Sequence, residues 1–460
     1  MKQQLTTIAD WIQAKGQQME GVLIQGISID SRSIKAGDLF IPFRGEQVNG
    51  HKFVERAIEK GAAASLWMKD EPNPPSNIPL IFVDNPEIAL QEMARVYRRT
   101  LNCTVIGITG SNGKTSTKDL VASILAPYFK VRKTEGNFNN ELGMPLTILA
   151  LETDTEYAVL EMGMSGFGEI SFLSQLAKPD YAIITNIGEA HMQDLGSREG
   201  IAKAKFEIID GLVPGGKLFI DGDEPLLQSL AKGHTEIQVL SFGHGKENDL
   251  IMEEATSADA GSDFTVGGLL NDQITIPVYG AHQVKNTLAA ILIAKEAGVS
   301  TDDIREALKN AILTDMRMQP ILADNGSLFI NDAYNAAPTS MHAALTFMKE
   351  TGLRKEKWVG LGDMLELGNE EKQYHVSLAE QLSEMKLEGI LLYGPRMKWL
   401  YEELKKQQIK SRLIWSADDY DPIVNELRKS TADNSVVLLK GSRGMALERV
   451  LEAFSNGGNA

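Results

Sequence analysis

GITGSNGKTST, residues Gly107 to Thr117, follows the apolar, β-branched run Thr104–Val105–Ile106 and precedes an amphipathic segment, Lys118 to Leu125. The context predicts strand, glycine loop, helix. Such a loop turns the backbone N–H groups of Gly110, Ser111, Asn112 and Gly113 inward around phosphate oxygens, and the helix N-terminus adds its partial positive charge. Lys114 then reaches the outer phosphates, Thr115 places a hydroxyl on Mg²⁺, and Ser116 continues the first turn. The usual spacing, GxxxxGK[ST], asks for Gly at position 108, where this chain has Ile108 between Gly107 and Gly110. A loop that merely turns a strand into a helix is the plainer reading, but Gly-Lys-Thr in a strand–helix setting favours a nucleotide triphosphate site.

The chain has 460 residues, more than one hydrophobic core usually supports, so two or three domains are expected. Hydrophobic residues at 43% and charged residues at 23% are those of a globular protein, which excludes a disordered chain. With 62 acidic and 46 basic residues the net charge is −16, so neither nucleic acid nor an anionic membrane is the expected partner. A local basic pocket for an anionic small molecule stays compatible with that charge. Cys103 is the single cysteine, so no intrachain disulfide can form, and its place before the phosphate-loop strand suggests a packed thiol. The N-terminus has no apolar signal core, and the most apolar stretch, Leu142 to Leu151, is short and interrupted by Gly143 and Pro145. A cytoplasmic protein without membrane insertion is expected.

Before about residue 100 the pattern is mixed, with strands at Gly21 to Asp30 and Asp38 to Pro42, a helix at Phe53 to Lys60 and a proline-rich loop from Lys69 to Ile78. From residue 103 to about 315 strands alternate with helices. Strands are expected at Tyr157 to Met162, Tyr181 to Ile187 and Lys217 to Asp221, and helices at Glu199 to Leu212 and Gln283 to Gly298. Glu247 to Gly268 reads as a polar break leading into a small β excursion that ends at Tyr279. From about residue 316 the alternation restarts: strand Ser327 to Asp332, helix Thr339 to Lys349, then strands Trp358 to Gly362, Gly389 to Gly394 and Ser435 to Lys440. The fold class is therefore α/β in three domains: a small mixed domain (1–100), a central doubly wound, mostly parallel P-loop domain (101–315) and a C-terminal Rossmann-like domain (316–460).

Glu161 ends one central strand, and Thr185–Asn186 lead from the next towards His191, at the carboxyl ends where α/β ligand sites form. Glu161 suits Mg²⁺. His191 suits it poorly, because imidazole prefers softer metals, and it reads equally as a second-layer group, a substrate contact or a loop histidine. Lys203, Lys205 and Glu207 in SREGIAKAKFEIIDGL read as a solvated charged face, unless one lysine faces a site, where burial would make its amine reactive. Asn286 sits mid-helix in GAHQVKNTLAA and is either exposed or bound to something. Asp332, Tyr334 and Asn335 cluster where a strand gives way to a Pro-containing turn, as binding groups often do. Asn137, Phe138, Asn139 and Asn140 in EGNFNNELGMP are either a turn and helix cap or groups within reach of the phosphate-loop ligand.

Together these stretches resemble the Mur ligases, ATP-dependent amide-forming enzymes of cytoplasmic peptidoglycan precursor synthesis, over residues 28 to 450. TGSNGKT with its early Gly107 is that family's variant of the phosphate loop. IDSRSIKAGDLFIPFRGEQVNGHKF, GNFNNELGMPLTIL, EMGMSGFGEI, TNIGEAHMQDLGS, AKAKFEI, NDAYNAAPTSMHAAL, GDMLELG with His375, and LLKGSRG match as well. NDAYN, PTSM and GDMLELG favour the branch of the family whose acceptor is D-alanyl-D-alanine. The DNPR string of the branch that adds the third residue is absent, and Ala337 departs from a common Asn.

The resemblance implies that Lys114 binds the β- and γ-phosphates, that Thr115, Glu161 and His191 belong to a metal site, and that Lys205 is carbamylated and helps hold a second Mg²⁺. It implies adenine contact from Asn286, nucleotide contacts from Arg317 and Asp332, and uridine-nucleotide contacts from Ser31 and Arg32. Lys440 and Arg443 would face the site beside Tyr334, Asn335, Asn137 and Asn139 as substrate groups. The implied activity joins D-alanyl-D-alanine to UDP-N-acetylmuramoyl-tripeptide with ATP, through an acyl phosphate, in a monomer. The neighbouring readings are the tripeptide-forming Mur ligase and folylpolyglutamate synthase; a P-loop switch is the reading from another class.

Overall fold

The computed structural model describes residues 1–45, 47–189, 192–258 and 261–455. It has two compact units, of which the first comprises Met1–Thr109, Tyr128–Ile183 and Glu207–Leu218 and the second Gly110–Pro127, Ile184–Phe206 and Phe219–Ala460. Both are α/β, with mostly parallel sheets, as the alternation of strand and helix patterns predicts.

In the first unit a five-stranded sheet runs in the order Lys15–Gln17, Leu80–Val83, Ala64–Met68, Asp38–Phe40, Gly26–Ser28, antiparallel only at its first pair. Its inner strands are near-continuous apolar runs, the composition demanded when helices cover both faces. Helix Pro86–Thr100, which the sequence reading missed, starts with Pro at its first turn, and the Asn85 side chain caps the amides of Glu87 and Ile88. Strand Thr104–Thr109 lies parallel to Tyr157–Glu161, pairing Ile108 with Glu161, and that strand in turn lies parallel to Val131–Lys133. Glu161 therefore emerges at the carboxyl end of its strand.

In the second unit helix Lys114–Leu125 is buried along nearly its whole length, only Lys114 and Ser123 escaping. The amphipathic reading of Lys118 to Leu125 is thus corrected: Lys118 and Asp119, which look like a solvent face, lie inside, 3.6 Å apart. A second correction concerns Glu247 to Gly268. Strands Leu250–Ala258, Gly261–Gly268 and Asp272–Ile276 form an antiparallel meander there, its polar residues alternating with buried Leu250, Met252, Phe264 and Val266. Alternation with period two is a strand signal that overall polarity hides. Helix Ala281–Glu296 follows, buried on most sides, polar Gln283, Asn286 and Thr287 included. Further along, a six-stranded sheet orders Gln319–Leu322, Leu328–Asp332, Ser435–Lys440, Glu356–Gly362, Gly389–Tyr393 and Arg412–Ser416, parallel except for its first strand. The register sets Asp332 against Lys440 at the carboxyl ends of neighbouring strands.

One ion-pair network ties helix Ala281–Glu296 to the end of strand Lys217–Asp221. Lys285 lies 2.8 Å from Asp221 and 3.1 Å from Asp223. Asp223 also accepts the amides of His244 and Gly245, each at 2.8 Å. Burial pushes the Asp223 carboxyl up, but those amides and Lys285 outweigh it and hold it at about 2, whereas burial dominates at Asp221 and raises it. A carboxyl depressed in the folded state contributes stability that is complete above its ordinary value of 3.8 and lost as pH falls through about 2. Asp223→Asn should therefore flatten the acid limb of the stability profile between those values. Acid titrations of the two proteins followed by near-ultraviolet circular dichroism check this; superimposable curves would contradict it.

Candidate active site

The glycine loop is shaped by what its neighbours forbid. Gly110 has φ +148° and Gly113 φ +83°, and a Cβ on either would collide, with the Thr185 hydroxyl at Gly110 and with the Asn286 amide at Gly113. Strand Tyr181–Ile184 hands on to Thr185–Asn186, which grip the Asn112 peptide. Its N–H donates to Asn186 Oδ1 at 3.0 Å, and its carbonyl accepts from Thr185 Oγ1 at 2.5 Å and Asn186 Nδ2 at 2.9 Å. Ser111 N–H donates to the Asn186 carbonyl at 3.1 Å, and Ser111 Oγ accepts the Gly188 N–H at 2.8 Å. Lys114 folds its ammonium onto the Gly110 carbonyl at 2.7 Å, closing over the loop. Ser116 is buried one residue on from Thr115.

Helix Arg198–Phe206 separates the two lysines left undecided by sequence. Lys203 is exposed, whereas Lys205 is 2% exposed, so the solvated-face reading fails for Lys205. Among the described residues Lys205 has no hydrogen-bond or ion-pair partner. Burial first, and the charge of Lys114 second, push its ammonium well below the usual lysine value, which favours the neutral, nucleophilic amine.

Asn286 is buried in helix Ala281–Glu296, its Nδ2 donating to Gln283 Oε1 at 3.2 Å and its Oδ1 facing Gly113. It is not the exposed mid-helix asparagine that sequence allowed. Arg317 donates to Thr115 Oγ1 at 3.1 Å and lies 4.2 Å over the Tyr334 ring. Asp332 accepts from Lys440 Nζ at 2.6 Å and from the Met318 amide at 3.1 Å, and Lys440 also donates to the Asn335 carbonyl at 3.0 Å. His282, unnoticed in the sequence, lies within the fields of Asp332, Lys440 and Arg317, and burial pushes its imidazole down. This set carries two cations, Arg317 and Lys440, and one carboxylate, an arrangement that suits an anion. Arg443 is not among them; its side chain is half-exposed and pairs with Glu448. His191 lies outside the described residues.

Within the first unit, Glu161 is 3% exposed, its carboxylate accepting from Asn139 Nδ2 at 2.8 Å and its amide donating to Thr134 Oγ1 at 3.0 Å. Asn137 is exposed and shares a turn with Asn139, whose N–H donates to the Asn137 carbonyl at 2.8 Å. Ser31 and Arg32 line a cavity of about 650 Å³ with Phe40, Phe43, Phe53 and Arg56. Arg32 is turned onto Asp30 at 2.8 Å, which lowers the Asp30 carboxyl to about 2. Aromatic walls with two arginines suit a base joined to phosphates.

No group of three or more His, Cys, Asp or Glu is gathered as a metal cluster among the described residues. Hard oxygen donors are present in each unit by itself, the Glu161 carboxylate in the first and the Thr115 hydroxyl in the second. Hard oxygens suit Mg²⁺, which keeps waters and substrate phosphates as ligands, better than zinc.

Three family models match the chain: the Mur ligase family catalytic domain over residues 23–99, the Mur ligase middle domain over 108–294 and the Mur ligase glutamate ligase domain over 316–443. The UDP-N-acetylmuramoyl-tripeptide–D-alanyl-D-alanine ligase of Bacillus subtilis is 43% identical over 435 residues, covering 95% of this chain and 94% of its own. A crystal structure of MurF from Acinetobacter baumannii is 29% identical with a TM-score of 0.89, covering 99% of both chains. MurF from Thermotoga maritima, crystallised with ADP, is 28% identical with a TM-score of 0.83, covering 95% of this chain and 98% of its own.

Gly113→Ala should abolish nucleotide binding, since the added methyl meets Asn286 from a left-handed backbone. Gly215→Ala, with φ +80° and open space around it, carries the same backbone penalty without the collision and should bind as the parent does. Calorimetric titration with ADP distinguishes them.

Proposed function

We propose that this chain, which belongs to the Mur ligase family, joins D-alanyl-D-alanine to UDP-N-acetylmuramoyl-tripeptide at the expense of ATP. The observation that carries the reading is the gripped phosphate loop with Arg317 on Thr115 and the buried Lys205 beside the charge of Lys114. The whole-length match to ligases of that name supports the choice of substrates. Residues 1–100 would bind the uridine nucleotide through Ser31 and Arg32, 101–315 the ATP, and 316–460 the remaining substrate groups. A cytoplasmic location goes with nucleotide-linked precursors.

In this reading the terminal carboxylate of the tripeptide attacks the γ-phosphorus of ATP, and ADP leaves. A carboxylate oxygen is a poor leaving group and phosphate a good one. The amine of D-alanyl-D-alanine then attacks the acyl carbon, the carbon–oxygen bond to phosphate breaks, and the amine loses its proton as the amide forms. The loop amides and Lys114 hold the β- and γ-phosphates, and Arg317 moves from the Thr115 hydroxyl onto the transferring group, where fixed positive charge counts most. Asn286, held by Gln283, would face the adenine. Asp332 and Lys440 are joined by a hydrogen bond beside Asn335 and Tyr334, while Arg443 would have to leave Glu448 to take part.

Thr115 and Glu161, with His191, would hold Mg²⁺, which when bound supplies positive charge at the phosphates. Lys205 as a neutral amine would add CO₂ at Nζ, forming an N–C bond and releasing a proton. The resulting carbamate offers the second anionic oxygen group that Glu161 alone does not supply, so two magnesium ions would be accommodated.

Phosphate release should require ATP, the UDP-muramoyl-tripeptide and D-alanyl-D-alanine together. Turnover without the dipeptide would point to a nucleotide switch, and use of other acceptors to a neighbouring ligase. Lys114→Ala should cost about 10²-fold or more in turnover. Lys205→Ala should lose activity while still binding ADP, and a short carboxylic acid in the buffer should restore part of it; Lys203→Ala, two positions along the helix, should stay near the parent. Steady-state rates for these variants check the assignment, and an active Lys205→Ala protein would remove the carbamate.

A further inference from the structure

Helix Lys114–Leu125 carries Thr115, Asp119 and Ser123 at steps of four, along one face. All three meet one stretch of chain running the opposite way. Ser123 Oγ lies 3.3 Å from the Ile312 amide, Asp119 Oδ2 accepts the Thr314 N–H at 2.8 Å and its hydroxyl at 2.6 Å, and Thr115 Oγ1 accepts from Arg317. Asp119 is fully buried, with the buried Lys118 ammonium beside its other oxygen. A carboxylate is kept in such a place only when it is paired and hydrogen-bonded.

Beyond Thr314 the backbone is strained. Met316 has φ +62° and Met318 φ +53°, left-handed conformations that residues with a Cβ rarely adopt, and Arg317 stands between them. Strain of this kind persists only where both ends are fixed. Downstream, the Met318 amide donates to Asp332 Oδ1 at 3.1 Å. Upstream, Asp119 holds Thr314, and between the two the Met316 N–H donates to Gln319 Oε1 at 3.1 Å and its carbonyl accepts the Tyr334 N–H at 3.3 Å. The stretch is an arch between two carboxylates with Arg317 at its apex.

We propose that Asp119 is a positioning residue: by gripping Thr314 it sets the phase of the strained arch and holds Arg317 over the phosphate loop. This rests on the reading of that loop as the ATP site. Asp119 and Lys114 share a helix, so the arginine and the lysine stay in register however the arch's downstream end moves.

The test compares Asp119→Ala, Asp119→Asn and Thr314→Val, each alone and with Arg317→Ala, by ligation kcat, KM for ATP and ADP affinity. Asp119→Ala should lower kcat by between about 10- and 100-fold, as small displacements of a reacting group do, with ADP affinity unchanged because the loop amides are intact. Asp119→Asn keeps an acceptor for Thr314 and should recover most of the loss. Added to Arg317→Ala, Asp119→Ala should cost little more. Equal losses with and without Arg317 would overturn the proposal, as would a fall in ADP affinity matching the fall in kcat. If Asp119→Ala does not fold, Thr314→Val, which removes only the hydroxyl, carries the same comparison with a smaller loss. A parent protein that fails to ligate with ATP would sink the functional reading, whereas a ligating parent with additive variants sinks this inference alone.

Discussion

The peptide of Asn112 is hydrogen-bonded on both of its faces by Thr185 and Asn186, and the phosphate loop has its shape because of that grip. A free glycine-rich loop would sample many conformations and lose entropy on closing round a phosphate. Here most of that ordering is complete before any ligand arrives. Gly110 and Gly113 let the chain pass where side chains would collide, Lys114 closes on the Gly110 carbonyl, and the helix behind them is too deeply buried to tilt freely. Preorganised donors of this kind stabilise developing charge without reorganising as it develops.

Charge is distributed against the grain of the whole molecule. The chain carries a net −16, yet Lys114 acts on the buried Lys205, and Arg317 and Lys440 lie with Asp332 around His282. The like charge of Lys114 and the loss of water both favour a neutral Lys205, which is how a residue that usually solvates a surface becomes chemically available. Its placement two residues from the exposed Lys203 shows how finely helix phase divides solvent from site.

Much of this was legible in the sequence, and the failures have physical causes. The loop, its strand and the parallel alternation are local signals, so they were read directly, as were strands Lys217–Asp221 and Ser435–Lys440 to the residue. The meander at 250–276 was read partly as a break because its polar residues masked a period of two. Lys118 and Asp119 stood in a segment read as amphipathic, and Lys203 and Lys205 were left between a solvated face and a site, because only the packing around a helix reveals which of its faces is inside. His282 and Thr314 gave no signal at all: their importance lies in partners far away in the chain. The Asn112 grip had a faint one, a polar Thr-Asn pair ending an otherwise apolar strand.

The outer strands of the six-stranded sheet carry a consequence for the protein's behaviour in a crowded cell. Gln319–Leu322 exposes Leu322 at its end, an invitation to pair with another chain, but Pro320 within the same strand has no N–H to offer a newcomer. At the opposite border Arg412 begins the strand and is tied to Glu426, so that a charged pair guards the other open row of backbone groups. Both borders therefore resist the addition of a strand from another copy.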